Sequence, residues 1–218
     1  MNLFSFKKTT PIDAHLIPAV EGEYTSHPTP EKNENPLIEI LKFSLIALII
    51  VIPIRMFVAQ PFIVSGASMQ DTFHSGEYLI VDQLSYLFNS AQRGDVIVFR
   101  YPRDPSKFFI KRIIGIPGDT ISIEGSTVRI ANAGDPNGSI LDEPYIESMA
   151  PGATINEVLG EREYFVMGDN RDQSSDSRVW GVLQEERIIG RAYLRLFPPQ
   201  EFEYLPGAIL PEVITSSP

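Results

Sequence analysis

A long apolar segment, Leu37 to Val58, separates a polar N-terminal tail from the rest of the chain. Its uncharged centre of 12 residues is shorter than the roughly 20 that cross a bilayer core. However, Lys42 and Arg55 at its borders can extend their charged groups to the two membrane interfaces. We therefore predict a transmembrane helix over residues 37–59, with a buried core helix as the alternative. The tail, residues 1–36, is polar and interrupted by prolines, so it is expected to be disordered.

From residue 60 onward the chain consists of short runs of β-branched and aromatic residues between Gly, Pro, Asn and Asp. This pattern is typical of β-strands, and Gly125-Ser126 between two such runs predicts a hairpin. The predicted fold class is mainly β, with one compact all-β domain over residues 60–200 after a single N-terminal transmembrane helix. Within it, residues from about 125 to 162 are expected to form an irregular insertion. Residues 201–218 are expected to form a loose C-terminal tail.

Composition excludes several classes of function. The net charge of −10 would repel the phosphates of nucleic acids, so no nucleic-acid partner is expected. The absence of cysteine excludes disulfides, thiol nucleophiles and iron–sulfur clusters. Of the three histidines, only His74 follows the apolar segment, which leaves too few ligands for a histidine-rich metal site. We expect no metal and no other cofactor.

Ser68 is the first candidate for chemistry. It follows an apolar run, Phe62-Ile63-Val64, and the small pair Gly66-Ala67, and small residues allow a second chain to approach the hydroxyl closely. A serine at the edge of an apolar surface is a candidate nucleophile. The same residue types are common in ordinary turns, so this stretch by itself does not decide between the two interpretations.

Lys111 is the second candidate, because it lies inside a run of aromatic and β-branched residues. In strand alternation it shares a face with Phe109 and Ile113. Apolar surroundings lower the pKa of a lysine, since burial disfavours the charged form. A neutral amine can then accept a proton from a serine. The alternative is a half-exposed edge-strand lysine that blocks aggregation.

A third element, Met167 to Arg178, is a dense run of small polar and charged residues after a predicted strand. Asp, Asn and Ser side chains bind nearby backbone groups and thereby stabilise a non-regular loop. Such a loop can bring a hydroxyl to a buried lysine. The alternative is a solvated loop with exposed ion pairs.

Together and in this order, these elements resemble the bacterial type I signal peptidases, which are membrane-anchored serine proteases with a serine–lysine dyad. The resemblance covers the apolar segment and nearly all of residues 61–197. Its motifs are Ser65-Gly-Ala-Ser-Met69, Arg93-Gly-Asp-Val-Ile-Val-Phe99, Phe109-Ile-Lys-Arg-Ile-Ile-Gly-Ile-Pro-Gly-Asp119 and Gly168-Asp-Asn-Arg-Asp-Gln-Ser-Ser-Asp-Ser-Arg178, with a weaker match at Leu141-Asp-Glu-Pro-Tyr-Ile146.

The resemblance implies a signal-peptidase-like barrel or coiled sheet and a serine endopeptidase. This enzyme would remove N-terminal signal peptides from exported preproteins after Ala-x-Ala-like sites. Its partners would be these preproteins and the lipid bilayer, and a monomer is expected. The implied location is the plasma (inner) membrane, as a single-pass type II protein with a cytoplasmic N-terminus and an outer, periplasmic or lumenal, catalytic domain. Lys32 and Lys42 before the apolar centre, against Arg55 after it, favour the same orientation.

Carried over by position, the resemblance implies that Ser68 is the nucleophile and Lys111 the general base. Ser174 would hydrogen-bond the Lys111 amine, and the Ser68 backbone N–H would donate to the oxyanion. Two supporting ion pairs are implied, Asp176 with Arg178 and Arg112 with Asp169. The residues implied to line shallow pockets for small substrate side chains are Phe62, Val64, Met69 and Ile110.

Two positions depart from the family pattern. Gly66 stands where some members have a serine whose hydroxyl supplies a second oxyanion donor. Asp71 stands where a proline is usual. The second donor and the rigidity of the turn are therefore the points at which this site is expected to differ.

Three other interpretations compete with the dyad. A Ser-His-Asp hydrolase would need His74 as its base, and the chain lacks a Gly-x-Ser-x-Gly elbow. A self-cleaving regulator of the SOS-repressor type would share the serine–lysine chemistry, but its DNA-binding headpiece conflicts with the acidic charge and the apolar segment. A non-catalytic, membrane-anchored β-domain that binds secreted proteins would have the same composition.

Overall fold

A computed structural model describes residues 35–53, 59–70, 72–146, 152–208 and 213–214. The predicted disordered tail, residues 1–36, therefore lies outside the described residues except for Asn35 and Pro36. Asp71 also lies outside them.

The first element is helix α1 (Pro36–Pro53). Proline suits a helix start because its fixed φ is already helical and its missing N–H would have no intrahelical partner. The backbone N–H of Ile38 donates to the Asn35 carbonyl at 2.8 Å. In the part of the chain that the structure describes, no helix combines the length and apolarity needed to cross a membrane. The transmembrane helix over residues 37–59 stays a prediction.

The remainder is mainly β, as predicted, and its strands form two antiparallel sheets. The larger sheet comprises β1 (Ala59–Ile63), β2 (Tyr78–Asp82), β3 (Val96–Arg100), β4 (Phe108–Gly115), β9 (Glu163–Met167), β10 (Leu183–Gln184), β11 (Ile188–Phe197) and β12 (Glu203–Tyr204). The smaller sheet comprises β5 (Thr120–Gly125), β6 (Thr127–Asn132), β7 (Asp135–Leu141), β8 (Gly152–Val158) and β13 (Val213–Ile214). Short helices are α2 (Ser85–Phe88) and α3 (Ser177–Trp180), with 3₁₀ turns at Arg171–Gln173, Glu185–Arg187 and Pro199–Glu201.

Strand order brings distant parts of the sequence together. In the larger sheet the order is β1-β2-β11-β3-β4-β9-β10, with β12 on β11, and in the smaller it is β13-β7-β6-β5-β8. Strand β4 therefore lies between β3 and β9, with Lys111 opposite Ile97 and Arg112 opposite both Val96 and Met167. This position makes β4 a central strand, which excludes the edge-strand alternative for Lys111.

Residues 125–162 were predicted to be an irregular insertion, and here the prediction is wrong, because β6, β7 and β8 belong to the smaller sheet. The hairpin at Gly125-Ser126 is confirmed, with Glu124 opposite Thr127. The segment Asp135-Pro-Asn-Gly138 consists of residue types that are typical of a turn. In the structure it lies inside β7. A register shift between β6 and β7 accommodates it, and a bulge is a position where proline and glycine are tolerated in a strand.

The C-terminal residues also differ from the prediction of a loose tail over 201–218. Strand β12 pairs with β11, and β13 pairs with β7. The Gly207 carbonyl accepts a hydrogen bond from the Arg112 guanidinium. Short edge strands with distant partners carry little local signal, because their pairing depends on residues elsewhere in the chain.

One of the buried apolar clusters lies directly beneath the Ser68 turn. It contains Val64, Met69, Phe73, Leu79, Val96 and Ala192, with Ile110 packed against it. Full burial of each large apolar side chain stabilises the fold by about 1.5–3 kcal/mol. The turn that carries Ser68 is thus fixed to β2, β3, β4 and β11 by its own apolar residues.

Replacing Gly190 with alanine should destabilise the larger sheet. A Cβ at this position of β11 would overlap the Asp82 carbonyl of β2 and lie 2.8 Å from its carbon. Because backbone atoms cannot move away without breaking the strand pairing, we expect a loss of about 1–3 kcal/mol or more in the free energy of urea unfolding. The matched control is Gly152→Ala, whose Cβ would approach no atom of the described residues closer than 4.0 Å. Equal stability of the two variants would contradict this packing.

Candidate active site

The Ser68 turn leaves the sheet between β1 and β2. The backbone of Val64 pairs with Gly76 and Glu77 at 2.9 Å, which closes the loop at its base. Gly66 adopts φ +104°, a region that glycine enters without steric cost. Its N–H donates to the Ser75 hydroxyl at 2.8 Å. Gly66 contributes no hydroxyl, so the second oxyanion donor found in some family members is missing at this position.

A short helical turn follows Ser68 and directs the next side chain inward. The N–H of Phe73 donates to the Met69 carbonyl at 2.7 Å. Met69 is 1% exposed and packs in the apolar cluster below the turn. Ser68 therefore remains at the surface of the turn, while its neighbour anchors it.

Lys111 contacts Ser68 directly. Its side chain is buried in β4, with the residue 3% exposed. The Nζ donates to Ser68 Oγ at 2.6 Å and to the Ile110 carbonyl at 2.8 Å. The Phe109 ring lies with its centroid 5.4 Å from Nζ. The two residues that the sequence singled out are thus within hydrogen-bonding distance.

Burial lowers the pKa of Lys111 to about 8, because the charged form loses its hydration, while the negative charges of Asp176 and Asp169 act in the opposite direction. An ordinary lysine has a pKa near 10.5. A substantial fraction of the amine is therefore uncharged at mildly alkaline pH. An uncharged amine can accept the serine proton.

Both predicted ion pairs are present in the structure. Arg112 Nε and Nη2 donate to the two oxygens of Asp169 at 2.9 and 2.6 Å, and both side chains are fully buried. Arg178 Nε and Nη2 donate to the two oxygens of Asp176 at 2.8 and 2.9 Å. Such bidentate pairs fix the position of a carboxylate more strictly than a single contact.

Ser174 does not form the hydrogen bond to Lys111 that the resemblance implies. Its Oγ is buried and has no hydrogen-bond partner among the described residues. The Lys111 amine bonds to Ser68 and to the Ile110 carbonyl. Ser174 nevertheless lies at the site. A Cβ added to Gly168 would overlap both the Ser68 carbonyl oxygen and the Ser174 hydroxyl, so only glycine allows the three residues to lie this close.

An apolar cleft of about 490 Å³ extends from Ser68 and Lys111. Three of the four residues predicted to line it do so, namely Phe62, Val64 and Ile110. Met69 does not, because it points into the core. Sequence reasoning missed Leu79, Val98, Phe108, Gln173 and Ser175, which also line the cleft. The apolar members come from neighbouring strands, so only the strand order identifies them.

The competing histidine base lies elsewhere. His74 is 58% exposed, its Nδ1 lies 3.4 Å from Glu77 Oε1, and it is not among the described residues that line the cleft. His74, Glu77 and Glu201 also have potential metal-ligand atoms within 4.8 Å of one another. The buried Arg195 guanidinium already pairs with Glu77 and Glu201, and its positive charge would repel a cation.

A serine hydroxyl in contact with a buried, partly uncharged amine beside an apolar cleft is the arrangement that a serine hydrolase with a lysine base requires. A family model described as "Signal peptidase, peptidase S26" matches residues 37–197. The chain belongs to this signal peptidase family, and it is therefore an enzyme, a peptide-bond hydrolase. Membership confirms the resemblance noted from the sequence and argues against a non-catalytic β-domain.

The sequences of two relatives agree with this assignment. The signal peptidase I of Leptolyngbya laminosa is 37% identical over 174 residues, which cover 77% of this chain and 83% of the relative. That of Bacillus licheniformis is 34% identical over 179 residues, which cover 77% and 92%. A crystal structure of a signal peptidase I from Enterococcus faecalis V583 is 29% identical and covers 47% of this chain and 97% of its own, with a TM-score of 0.40.

Replacing Lys111 with methionine should stabilise the protein at neutral pH. The unfolded state keeps the ordinary lysine pKa of 10.5, whereas the folded state has a pKa of about 8, so the unfolded state binds more protons between these values. The burial cost is therefore complete below about pH 8 and disappears above about pH 10.5. At about 1.4 kcal/mol per pKa unit, we expect a gain on the order of 3 kcal/mol in urea unfolding at pH 7. A gain that did not shrink by pH 10.5 would contradict this origin.

Proposed function

We propose that this chain is a membrane-anchored serine endopeptidase that removes N-terminal signal peptides from exported preproteins, cutting after Ala-x-Ala-like sites. Ser68 is the nucleophile and Lys111 the general base. The observation that carries the proposal is the 2.6 Å contact between Lys111 Nζ and Ser68 Oγ, formed at one end of the cleft.

In acylation, the uncharged Lys111 amine takes the proton of the Ser68 hydroxyl as Oγ attacks the carbonyl carbon of the scissile bond. The resulting tetrahedral oxyanion receives a hydrogen bond from the Ser68 backbone N–H. The Lys111 ammonium then gives its proton to the departing amine, and an acyl-enzyme remains. In deacylation, the same amine takes a proton from water, whose oxygen attacks the carbonyl carbon of the ester. The bond to Ser68 Oγ then breaks, and the Lys111 ammonium returns its proton to that oxygen, which restores the hydroxyl and the uncharged amine.

Asp169 and Asp176 keep the lysine pKa within a useful range. Burial alone would lower it further, and the two carboxylates oppose this effect. Each carboxylate is itself paired with an arginine, so neither accepts the lysine proton as a direct partner. A base with a pKa close to the working pH combines a sufficient neutral fraction with sufficient proton affinity.

Substrate choice follows from the cleft walls. Phe62, Val64 and Ile110 line the cleft together with Leu79 and Val98, and shallow apolar walls exclude large side chains by overpacking. Phe62 and Phe108, which both line the cleft, form an edge-to-face pair with ring centroids 5.4 Å apart. Small residues such as alanine fit on both sides of the variable position.

Membrane placement is part of the proposal. Helix α1 exposes apolar side chains such as Leu41, Leu45 and Ile49, and an apolar surface of this kind requires cover by lipid or protein. In the plasma membrane, with the N-terminus cytoplasmic and the catalytic domain outside, a monomer would meet preproteins in the layer that retains their signal peptides. Confinement of both partners to one layer raises their effective concentration.

Ser68→Ala and Lys111→Arg should each abolish cleavage of a synthetic peptide that contains an Ala-x-Ala site. The first removes the nucleophile, and the second replaces the base by a guanidinium that stays protonated. We expect a decrease in kcat of about 10⁴-fold or more for each, measured by mass spectrometry of the products. Ser126→Ala, in the exposed β5–β6 turn, is the matched control and should cleave like wild type. Turnover retained in Lys111→Arg would exclude the dyad.

The rate should rise with pH. Protonated Lys111 cannot accept the serine proton, so kcat/KM is expected to fall about tenfold per pH unit below the lysine pKa of about 8 and to level off above it. The measurement is peptide cleavage from pH 5 to pH 10, with thermal unfolding recorded at each pH. A flat profile over this range would rule out a lysine base.

A further inference from the structure

The segment after β7, Leu141-Asp-Glu-Pro-Tyr-Ile146, has no role in the proposed reaction, yet two of its side chains reach toward the site. Glu143 Oε2 accepts a hydrogen bond from Arg171 Nη1 at 2.9 Å, and Oε1 contacts Arg171 Nη2. The Arg171 side chain is fully buried, and that of Glu143 is 9% exposed. Glu143 therefore neutralises a buried cation in the loop that carries Ser174 and Asp176.

Arg171 also binds Gly168, which packs against the backbone of Ser68. Its Nε donates to the Gly168 carbonyl at 3.0 Å, while the Gly168 N–H donates to Asp176 Oδ2 at 3.1 Å. Gly168 packs against the Ser68 carbonyl oxygen, and that oxygen accepts the N–H of Asn170 at 3.2 Å. Both peptide groups of Gly168 are thus fixed where it touches the Ser68 backbone.

Tyr145 supports Asp169, the residue after Gly168, through Arg112. Its ring lies 4.0 Å below the Arg112 guanidinium, and Arg112 binds both oxygens of Asp169. Asp169 Oδ2 in turn accepts the Thr72 hydroxyl at 2.5 Å, which ties it to the Ser68 turn. The Tyr145 hydroxyl donates to Glu143 Oε1 at 2.7 Å. Burial raises the pKa of Tyr145, so the phenol stays protonated and available as a donor.

We propose that Glu143 and Tyr145 are positioning residues for the serine–lysine site. Through Arg171 and Arg112 they fix Gly168 and Asp169, and these two residues set the position of the Ser68 turn relative to Lys111. The inference rests on the proposed function. It extends the functional part of the molecule to a segment at the end of β7, in the smaller sheet.

Loss of the Glu143–Arg171 pair should have a larger effect than loss of an ordinary surface ion pair, because Arg171 is buried. Removing the Glu143 carboxylate takes away the bidentate partner of the buried Arg171 cation. Loss of one member of a buried ion pair is strongly destabilising, so we expect the guanidinium to shift. Movement of Arg171 releases the Gly168 carbonyl. Because the Ser68–Lys111 contact is a short hydrogen bond, a shift of about 1 Å at the reacting groups can lower the rate about 100-fold.

The test compares peptide cleavage by wild type, Glu143→Gln and Glu143→Asp. We expect kcat to fall about 10- to 100-fold in Glu143→Gln. The KM should stay within about twofold of the wild-type value, because neither Glu143 nor Arg171 is among the residues that line the cleft. Glu143→Asp keeps the charge but shortens the side chain by one methylene, and we expect a decrease in kcat of about tenfold with KM unchanged. All rates are measured well below the unfolding temperature of each variant.

A double variant tests whether Glu143 acts through Arg171. In Arg171→Met, which already lacks the cation, the further change Glu143→Gln should lower kcat by less than about twofold. The matched control is Glu185→Gln, which removes the carboxylate of the exposed Arg162–Glu185 pair and should leave kcat unchanged.

A lowered unfolding temperature with kcat unchanged in both Glu143 variants would overturn the inference, because the pair would then support only the fold. If Glu143→Gln does not fold, Glu143→Asp decides by the same criterion. Failure of the proposed function is distinguishable, since wild type itself would then not cut the peptide.

Discussion

The structure depends on one amine that is buried with no carboxylate of the described residues in direct contact. Lys111 bonds to a serine hydroxyl and a backbone carbonyl instead of an acid, so the effect of burial, which lowers its pKa, outweighs that of the more distant carboxylates. A central strand is needed to bury it, and the position of β4 between β3 and β9 provides this burial. The same desolvation that makes the amine a base also makes it a cost to the folded state.

The two carboxylates near this amine, Asp169 and Asp176, are each paired with an arginine and do not form an ion pair with it. Asp169 and Asp176 are close enough to influence Lys111 through space, yet each is bound by an arginine through two hydrogen bonds. Bidentate pairs of this kind hold the two carboxylates in fixed positions. The serine turn and the 168–178 loop therefore touch through groups whose positions are fixed from several sides, and the buried Arg171 and Arg112 are part of this arrangement.

Several features of the site could be predicted from the sequence, and others could not. The Ser68–Lys111 contact and the two ion pairs were predicted, because residue types at matching positions carry the chemistry. Met69 was assigned to the cleft, although the turn after Ser68 directs it into the core. Ser174 was expected to bind Lys111, but the amine bonds to Ser68 and its own backbone. These errors share a cause, since a side chain's direction depends on local backbone geometry that residue identity alone does not specify.

The sequence by itself identified which groups can react, because protonation chemistry and strand alternation are local properties, and its resemblance to a known family implied which charges pair. It also determined the mainly β character of the chain after residue 60. Only the tertiary structure decided that Asp135 to Gly138 lies within a strand, that Leu79 and Val98 line the cleft, and that the 141–146 segment contacts the 168–178 loop. Each of these depends on pairing between residues far apart in the chain, and such long-range contacts form only when the whole domain excludes water from its core.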